Sequence, residues 1–301
     1  MSKRMHAQKP LAGIVLMLCA MGVLPFLDVC AKYLGRMGLP IVEIVWARLF
    51  FGMLLTLPFA WRLVGARGLL PDPPVMHTFR GLFLCGATFF FFWGLKYLPI
   101  ADTLAIFFVQ PLIITLLSPF VLGEKVGIRR WVAVIIGFIG TLIIIRPGFQ
   151  TFNPGMLMAL AAGMSLAIYM LLTRKMSGRT HAMVTTFHTN VAGAVLMSVA
   201  VLFNWQMPSL EQWLLFVLMA AIATFGHFLI VKAYDHAEAS LLAPFAYAEM
   251  IMAVAAGWYF FGDFPDEWTF VGVGILIACA IYISYRERVR RIPPTVTGEH
   301  T

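Results

Sequence analysis

The sequence predicts an all-α integral membrane protein of ten transmembrane helices, arranged as two inverted five-helix repeats. Three observations carry that prediction. Of the 301 residues, 61% are hydrophobic and only 12% are charged, and a mean hydropathy of +0.87 leaves too little polar surface to cover a soluble core. Apolar runs succeed one another from Leu11 to Tyr285, each near the roughly 20 residues that cross a hydrocarbon layer about 30 Å thick. The last five runs repeat the first five, and because each half holds an odd number, the second half lies upside down relative to the first.

The first span, 11–33, follows Lys3, Arg4 and Lys9. These cations resemble the start of a signal peptide, but the run is long, lacks a small-residue cleavage site and is followed by nine more, so it is read as a retained helix. It carries Pro25 and, in its outer half, Asp28. Span two, 41–62, carries Glu43 and Arg48. Span three, 79–97, is dominated by Phe89-Phe90-Phe91-Phe92-Trp93, apolar on every face and expected to meet lipid or neighbouring helices. Span four, 100–122, follows Leu98-Pro99, holds Gln110 and stops at Gly123-Glu124. Span five, 131–146, has small residues at Ala133 and Gly137 that allow close helix contact, and it ends at Arg146. Span six, 155–174, opens at a glycine and ends on a cation as span one does, and holds Tyr169. His188 and Asn190 lie in span seven, 183–203, and His227 in span eight, 211–233. Span nine, 239–261, contains Tyr247 and Glu249 and stops at Gly262-Asp263, while span ten, 268–285, runs into a basic tail. Ala253 to Gly257 and Gly274 to Ala278 are further small-residue spacings, suited to packing within the bundle or at a homodimer seam.

The repeat is legible residue by residue. Gly13 through Lys32 aligns without gaps on Gly155 through Arg174, and Phe108, Gln110, Gly123 and Glu124 match Tyr247, Glu249, Gly262 and Asp263 in the same order. The organisation that follows is an N-terminal tail at 1–10, a first repeat at 11–146, a second at 147–285 and a C-terminal tail at 286–301. Cations set the orientation. With the N-terminus in the cytoplasm, that side collects 17 of the 22 Lys and Arg, whereas only Lys32, Arg36, Lys96 and Arg146 fall outside and Arg48 lies within span two. Both termini are therefore expected in the cytoplasm. The formal charge of +8 then faces anionic lipid head groups, and its scattered pairs make a poor track for nucleic acid.

Several function classes are excluded on the same page. Cys19, Cys30, Cys85 and Cys279 are isolated in apolar runs without metal-ligand spacing, so neither metal nor cofactor is expected. No HExxH, P-loop or facing pair of catalytic aspartates is present, which argues against an enzyme. Nothing outside the bilayer is large enough to hold nucleotide, which argues against an ATP-driven pump, and a channel or scaffold is the weaker reading.

An ionised side chain in hydrocarbon costs several kcal/mol unless it is paired or wetted, so polar residues stranded within spans are the candidate site. Asp28 either binds a cationic group or a proton, or pairs with Lys32 one helical turn on. Glu43 and Arg48 either form an internal tie or bring Arg48 to the substrate. Glu249, nearly midway along span nine, is a candidate for coupling movement to a proton gradient. Gln110, His188 and Asn190 are candidates to bond a substrate's polar edge, and Trp93, Tyr169 and Tyr247 to stack on a flat ring.

The segments Tyr97-Leu98-Pro99-Ile100-Ala101, Gln110-Pro111-Leu112, Leu122-Gly123-Glu124-Lys125, Trp131 with Gly137 to Gly140, and Arg146-Pro147-Gly148 together resemble the first half of a drug/metabolite transporter of the ten-helix EamA type. Ala246-Tyr247-Ala248-Glu249 and Phe261-Gly262-Asp263 resemble the second half. The resemblance implies ten helices with both ends in the cytoplasm of a bacterial inner membrane, alternating access around a central cavity, and a small-molecule substrate. The family's habit of placing an Arg at the position of Arg48 favours a structural tie there. Asp263 stands where a Glu is usual, which keeps the charge, and Gln110 stands opposite Glu249, so a titrating group is not assumed in both halves. Arg129-Arg130-Trp131, Arg146-Pro147-Gly148 and the Phe-rich third span are similar to those of bacterial riboflavin and S-adenosylmethionine importers. The resulting expectation is a secondary carrier importing riboflavin, whose flat, weakly charged ring suits an aromatic cavity. Import of S-adenosylmethionine and export of amino acids or other metabolites are the alternatives.

Overall fold

The computed structural model describes residues 10–70, 73–123, 128–146, 153–176, 182–236, 242, 245 and 247–291. Glu124, Pro147-Gly148, Ala246 and the chain ends at 1–9 and 292–301 lie outside the described residues. The described secondary structure is helical throughout. In chain order the helices are α1 Pro10–Arg36, α2 Ile41–Gly68, α3 Pro74–Leu95, α4 Ile100–Phe107, α5 Gln110–Leu122, α6 Ile128–Ile145, α7 Pro154–Lys175, α8 Ala182–Val201, α9 Leu210–His236, α10 Ala248–Phe261 and α11 Glu267–Arg291. Seven segments are long and apolar enough to cross a membrane, and Trp131–Ile145, Ala248–Phe261 and Glu267–Cys279 are shorter apolar helices beside them.

Span four is broken where the sequence places its polar residue. α4 ends at Phe107, Phe108 takes φ −67° and ψ 3°, and α5 begins at Gln110 with a proline in its first turn. Pro111 has no N–H to give, so it is tolerated at a helix start and interrupts a helix interior. α7 accommodates the break at Gly163, where an added Cβ would stand 2.9 Å from Phe107 O. In the second half Tyr247, which corresponds to Phe108 in the repeat, has φ −72° and ψ −10° and immediately precedes α10. α5 and α10 also end alike, at Gly123 with φ 69° and Gly262 with φ 71°, a left-handed conformation that a Cβ disfavours.

The packing has a two-fold pattern. α1 lies chiefly against α9, and α7, which corresponds to α1 in the repeat, lies against α3, which corresponds to α9. Likewise α2 meets α9 as α8 meets α3, and α1 meets α10 as α7 meets α4 and α5. The pairs α2 with α8, α6 with α11 and α4 with α10 exchange into themselves. These self-paired helices lie about the line on which the two halves face each other.

α3 occupies the middle of this arrangement, touching α1, α2, α4, α7 and α8. That resolves its aromatic run: Phe91 and Phe92 are buried and Phe89, Phe90 and Trp93 half-buried, so the ring-covered faces meet neighbouring helices, as a centrally placed helix requires. The small-residue spacings divide. Gly137 packs tightly on Leu112, whereas Gly274 has nothing within 4 Å of an added Cβ. The close approach on α11 falls instead at Gly272, where a Cβ would stand 2.7 Å from Gly140 O.

Candidate functional site

The central polar group is built on α1, α2, α3, α9 and α10. Arg48 of α2 donates a hydrogen bond to Thr88 Oγ1 of α3, and its guanidinium carbon lies 5.8 Å from the centroid of the Phe92 ring. It acts electrostatically on Asp28 of α1 and on His227 of α9, and Glu249 of α10 in turn feels Asp28. Asp28 is only 6% exposed, and Glu249 is half-buried. Among the described residues neither carboxyl accepts a hydrogen bond or forms an ion pair within 4.0 Å. His227 Nδ1 lies 2.7 Å from Ala223 O, within its own helix.

The alternative pairing of Asp28 with Lys32 is not what forms. Lys32 Nζ donates to Leu98 O at 2.9 Å and to Asp263 Oδ2 at 2.7 Å. The left-handed turn at Gly262 brings Asp263 back over the end of α1, where these acceptors satisfy two of the three ammonium donors. Glu43 and Arg48 do not pair with each other either. Glu43, 0% exposed, accepts the Gln206 N–H at 3.2 Å, which ties α2 to the α8–α9 connection.

A pocket of about 730 Å³ opens at the end of the bundle where α1 stops and α2 begins, lined by Lys32, Arg36, Ile44, Phe92, Lys96, Tyr97, Gln206 and Asp263 among others. Its charged lining is three cations against one carboxylate. Because Phe92 lines this pocket and also faces Arg48, its ring separates the pocket from the central group.

The remaining candidates are distributed unevenly. Gln110 opens α5 and Tyr247 precedes α10, and the Gln110 Oε1 is buried without a hydrogen-bond partner. Tyr247 is packed on Phe108, its repeat equivalent, with ring centroids 5.0 Å apart, and both residues are buried. Trp93 packs on Phe89, centroids 5.4 Å apart, and lies off the α3 face formed by Thr88 and Phe92. Tyr169 is in the field of Arg48. Asn190 sits against α2, 3.2 Å from an added Cβ at Gly52. His188 is not in the central group: its Nε2 lies 2.7 Å from Leu69 O, at the opposite end of the bundle from the pocket. Thr88 and Phe92 complete the central group without having been singled out in the sequence, since a threonine and one phenylalanine among five aromatics carry no signal.

Carboxyls without a hydrogen-bond partner among the described residues and a guanidinium, held between apolar helices beneath a charged vestibule, fit a multi-pass membrane transporter. The chain belongs to the EamA-like transporter family, whose model matches residues 11–146 and 153–285. Its relatives include an S-adenosylmethionine uptake transporter of Rickettsia bellii (strain RML369-C), 31% identical over 87% of this chain and 89% of the relative. A riboflavin transporter of Vibrio cholerae is 29% identical over 92% of this chain and 94% of its own. A pseudopaline exporter of Pseudomonas aeruginosa is 27% identical over 80% and 85%. One solved crystal structure shares the fold with a TM-score of 0.63 at 19% identity, covering 94% of this chain and 98% of that one.

Proposed function

We propose that this transporter imports S-adenosylmethionine, or a small zwitterionic cation of the same kind, by alternating access about Asp28, Arg48 and Glu249. The proposal places ten spans in a bacterial inner membrane with both termini in the cytoplasm, and treats 11–146 and 147–285 as inverted halves. The observation that carries it is the pair of carboxyls, Asp28 and Glu249, set on two helices packed against each other, neither of which accepts a hydrogen bond or forms an ion pair among the described residues. Beside the single Arg48 guanidinium, two carboxyls that release their protons supply one negative charge more than it balances, and a sulfonium or ammonium group entering the site takes that charge. A neutral flavin ring makes no such use of the carboxyls, and Tyr247, one of the rings expected to stack on it, is buried against Phe108. The charge inventory thus reverses the order of substrates expected from the sequence, and the Rickettsia relative supports that order.

The three cations at the pocket mouth meet the substrate's carboxylate, while its cationic centre continues inward to Asp28 and Glu249. Direction follows the combined gradients of substrate and any coupled ion, with Glu249 as the coupling group. Counterflow in proteoliposomes tests the proposal. Labelled S-adenosylmethionine is expected to exchange faster when unlabelled S-adenosylmethionine is inside, with riboflavin unable to compete. Exchange of riboflavin in place of S-adenosylmethionine overturns the substrate, and absence of trans-stimulation overturns the carrier.

A further inference from the structure

A second polar cluster lies in the half of the bundle opposite the pocket, and the central group does not use it. α3 and α8 approach so closely at Gly81 that an added Cβ would stand 2.5 Å from the Ala192 Cβ. This presses Arg80, 1% exposed, against α8, where its Nη2 donates to Thr185 O and to Thr189 Oγ1. The rings of His77 and His188, 2% and 6% exposed, meet edge to face with centroids 4.8 Å apart. Arg80 Nε and His188 Nδ1 are both buried without a hydrogen-bond partner, and among the described residues no carboxylate pairs with Arg80.

A buried guanidinium without an anion is costly, and helix packing alone does not require one. Arg80 is also connected to the central group: its guanidinium carbon lies 5.9 Å from the Tyr169 ring centroid, and Tyr169 is in the field of Arg48. Polar groups therefore run from Arg48 through Tyr169 to Arg80 and His188 within an otherwise apolar bundle.

We propose that Arg80, with His77 and His188 beside it, is an anion subsite on the inner half of the transport path that takes a carboxylate group in transit. A guanidinium suits this task because its planar N–H groups match the two oxygens of a carboxylate. The proposal rests on the function proposed above for the identity of the substrate. Its chemistry does not depend on it.

The test compares counterflow of labelled S-adenosylmethionine with that of its decarboxylated form in wild type, Arg80→Gln, Arg80→Lys and His188→Gln. Losing a charged hydrogen-bond donor is expected to slow the carboxylate-bearing compound about tenfold or more, leaving the decarboxylated one within about twofold, with Arg80→Lys intermediate. Equal loss for both compounds, or no loss, overturns the subsite. A second measurement is independent of the substrate and of transport: the thermal unfolding midpoint of purified protein in sodium acetate against sodium chloride at equal ionic strength. Acetate is expected to raise the midpoint of wild type and not of Arg80→Gln. If wild type carries neither compound, the proposed function fails and this shift alone decides, its absence in wild type overturning the subsite.

Discussion

Glu249 of α10 and Gln110 of α5 are equivalent in the repeat, yet only one of them can carry a charge, so the two halves differ in the chemistry they bring to the middle of the bundle. Glu249→Gln preserves shape and removes the titrating group. Uptake of S-adenosylmethionine should weaken about tenfold, as expected for a lost charged contact, and accumulation driven by a proton gradient should disappear. Unchanged accumulation across the pH range makes Glu249 structural. Asp28→Asn is expected to act similarly, with the double variant less than additive because the carboxyls share one field. Labelled uptake by the three variants at equal expression checks this. Asp28, Arg48 and Glu249 were legible in the sequence because charge stands out within hydrocarbon-length runs. Thr88 and Phe92 were not, and neither was the separation of His188 from Asp28, Arg48 and Glu249, because depth can be counted along a span while the direction a side chain faces depends on packing of distant helices.

Elements are held to one another by a few polar ties at the pocket end of the bundle. Lys32 and Asp263 join α1 to the turn after α10, with side chains 7% and 25% exposed. Lys32→Met should therefore loosen the pocket wall, read as faster thiol labelling of a cysteine placed at Arg36 and a lower unfolding midpoint. A second tie joins α6 to α11, where Asp266 accepts the Thr269 N–H and hydroxyl and pairs with Arg146. Burial opposes ionisation of Asp266, but these hydrogen bonds and the guanidinium outweigh it and hold the carboxyl below its usual range. A depressed folded value means the tie contributes above the ordinary carboxylate pKa and is lost only as pH falls through the lowered one. Hydrogen exchange at the Thr269 amide should stay slow through the ordinary carboxylate range and quicken only below it. In the opposite half, Gly81→Leu overfills the α3–α8 contact and is expected to cost about 1–3 kcal/mol, measured by chemical unfolding. The break in span four was only partly legible: Pro111 marks it in the sequence, whereas the packing of Phe108 against its repeat equivalent Tyr247 depends on how the two halves meet.

At the scale of the whole molecule, the exchangeable helix pairs and the mirrored glycine ends of α5 and α10 are what an inverted repeat produces, and its orientation can be measured directly. Met37 follows the first span of the first half, and Lys175 follows the first span of the second. An inverted repeat puts these two positions on opposite sides of the membrane, whereas a parallel repeat puts them on the same side. Leu70 and Asn204, after the second spans of each half, repeat the comparison with the sides exchanged. On a background lacking the four native cysteines, Met37→Cys and Asn204→Cys should react with an impermeant maleimide in intact cells. Lys175→Cys and Leu70→Cys should react only after permeabilisation, because the cation bias places those ends in the cytoplasm. Labelling of Met37→Cys and Lys175→Cys from the same side removes the inverted repeat, and with it the rocking of two opposed halves about Asp28, Arg48 and Glu249. If instead all four reactivities are exchanged, the inverted repeat stands and the orientation reverses, which places the Arg80 cluster at the outer end of the path.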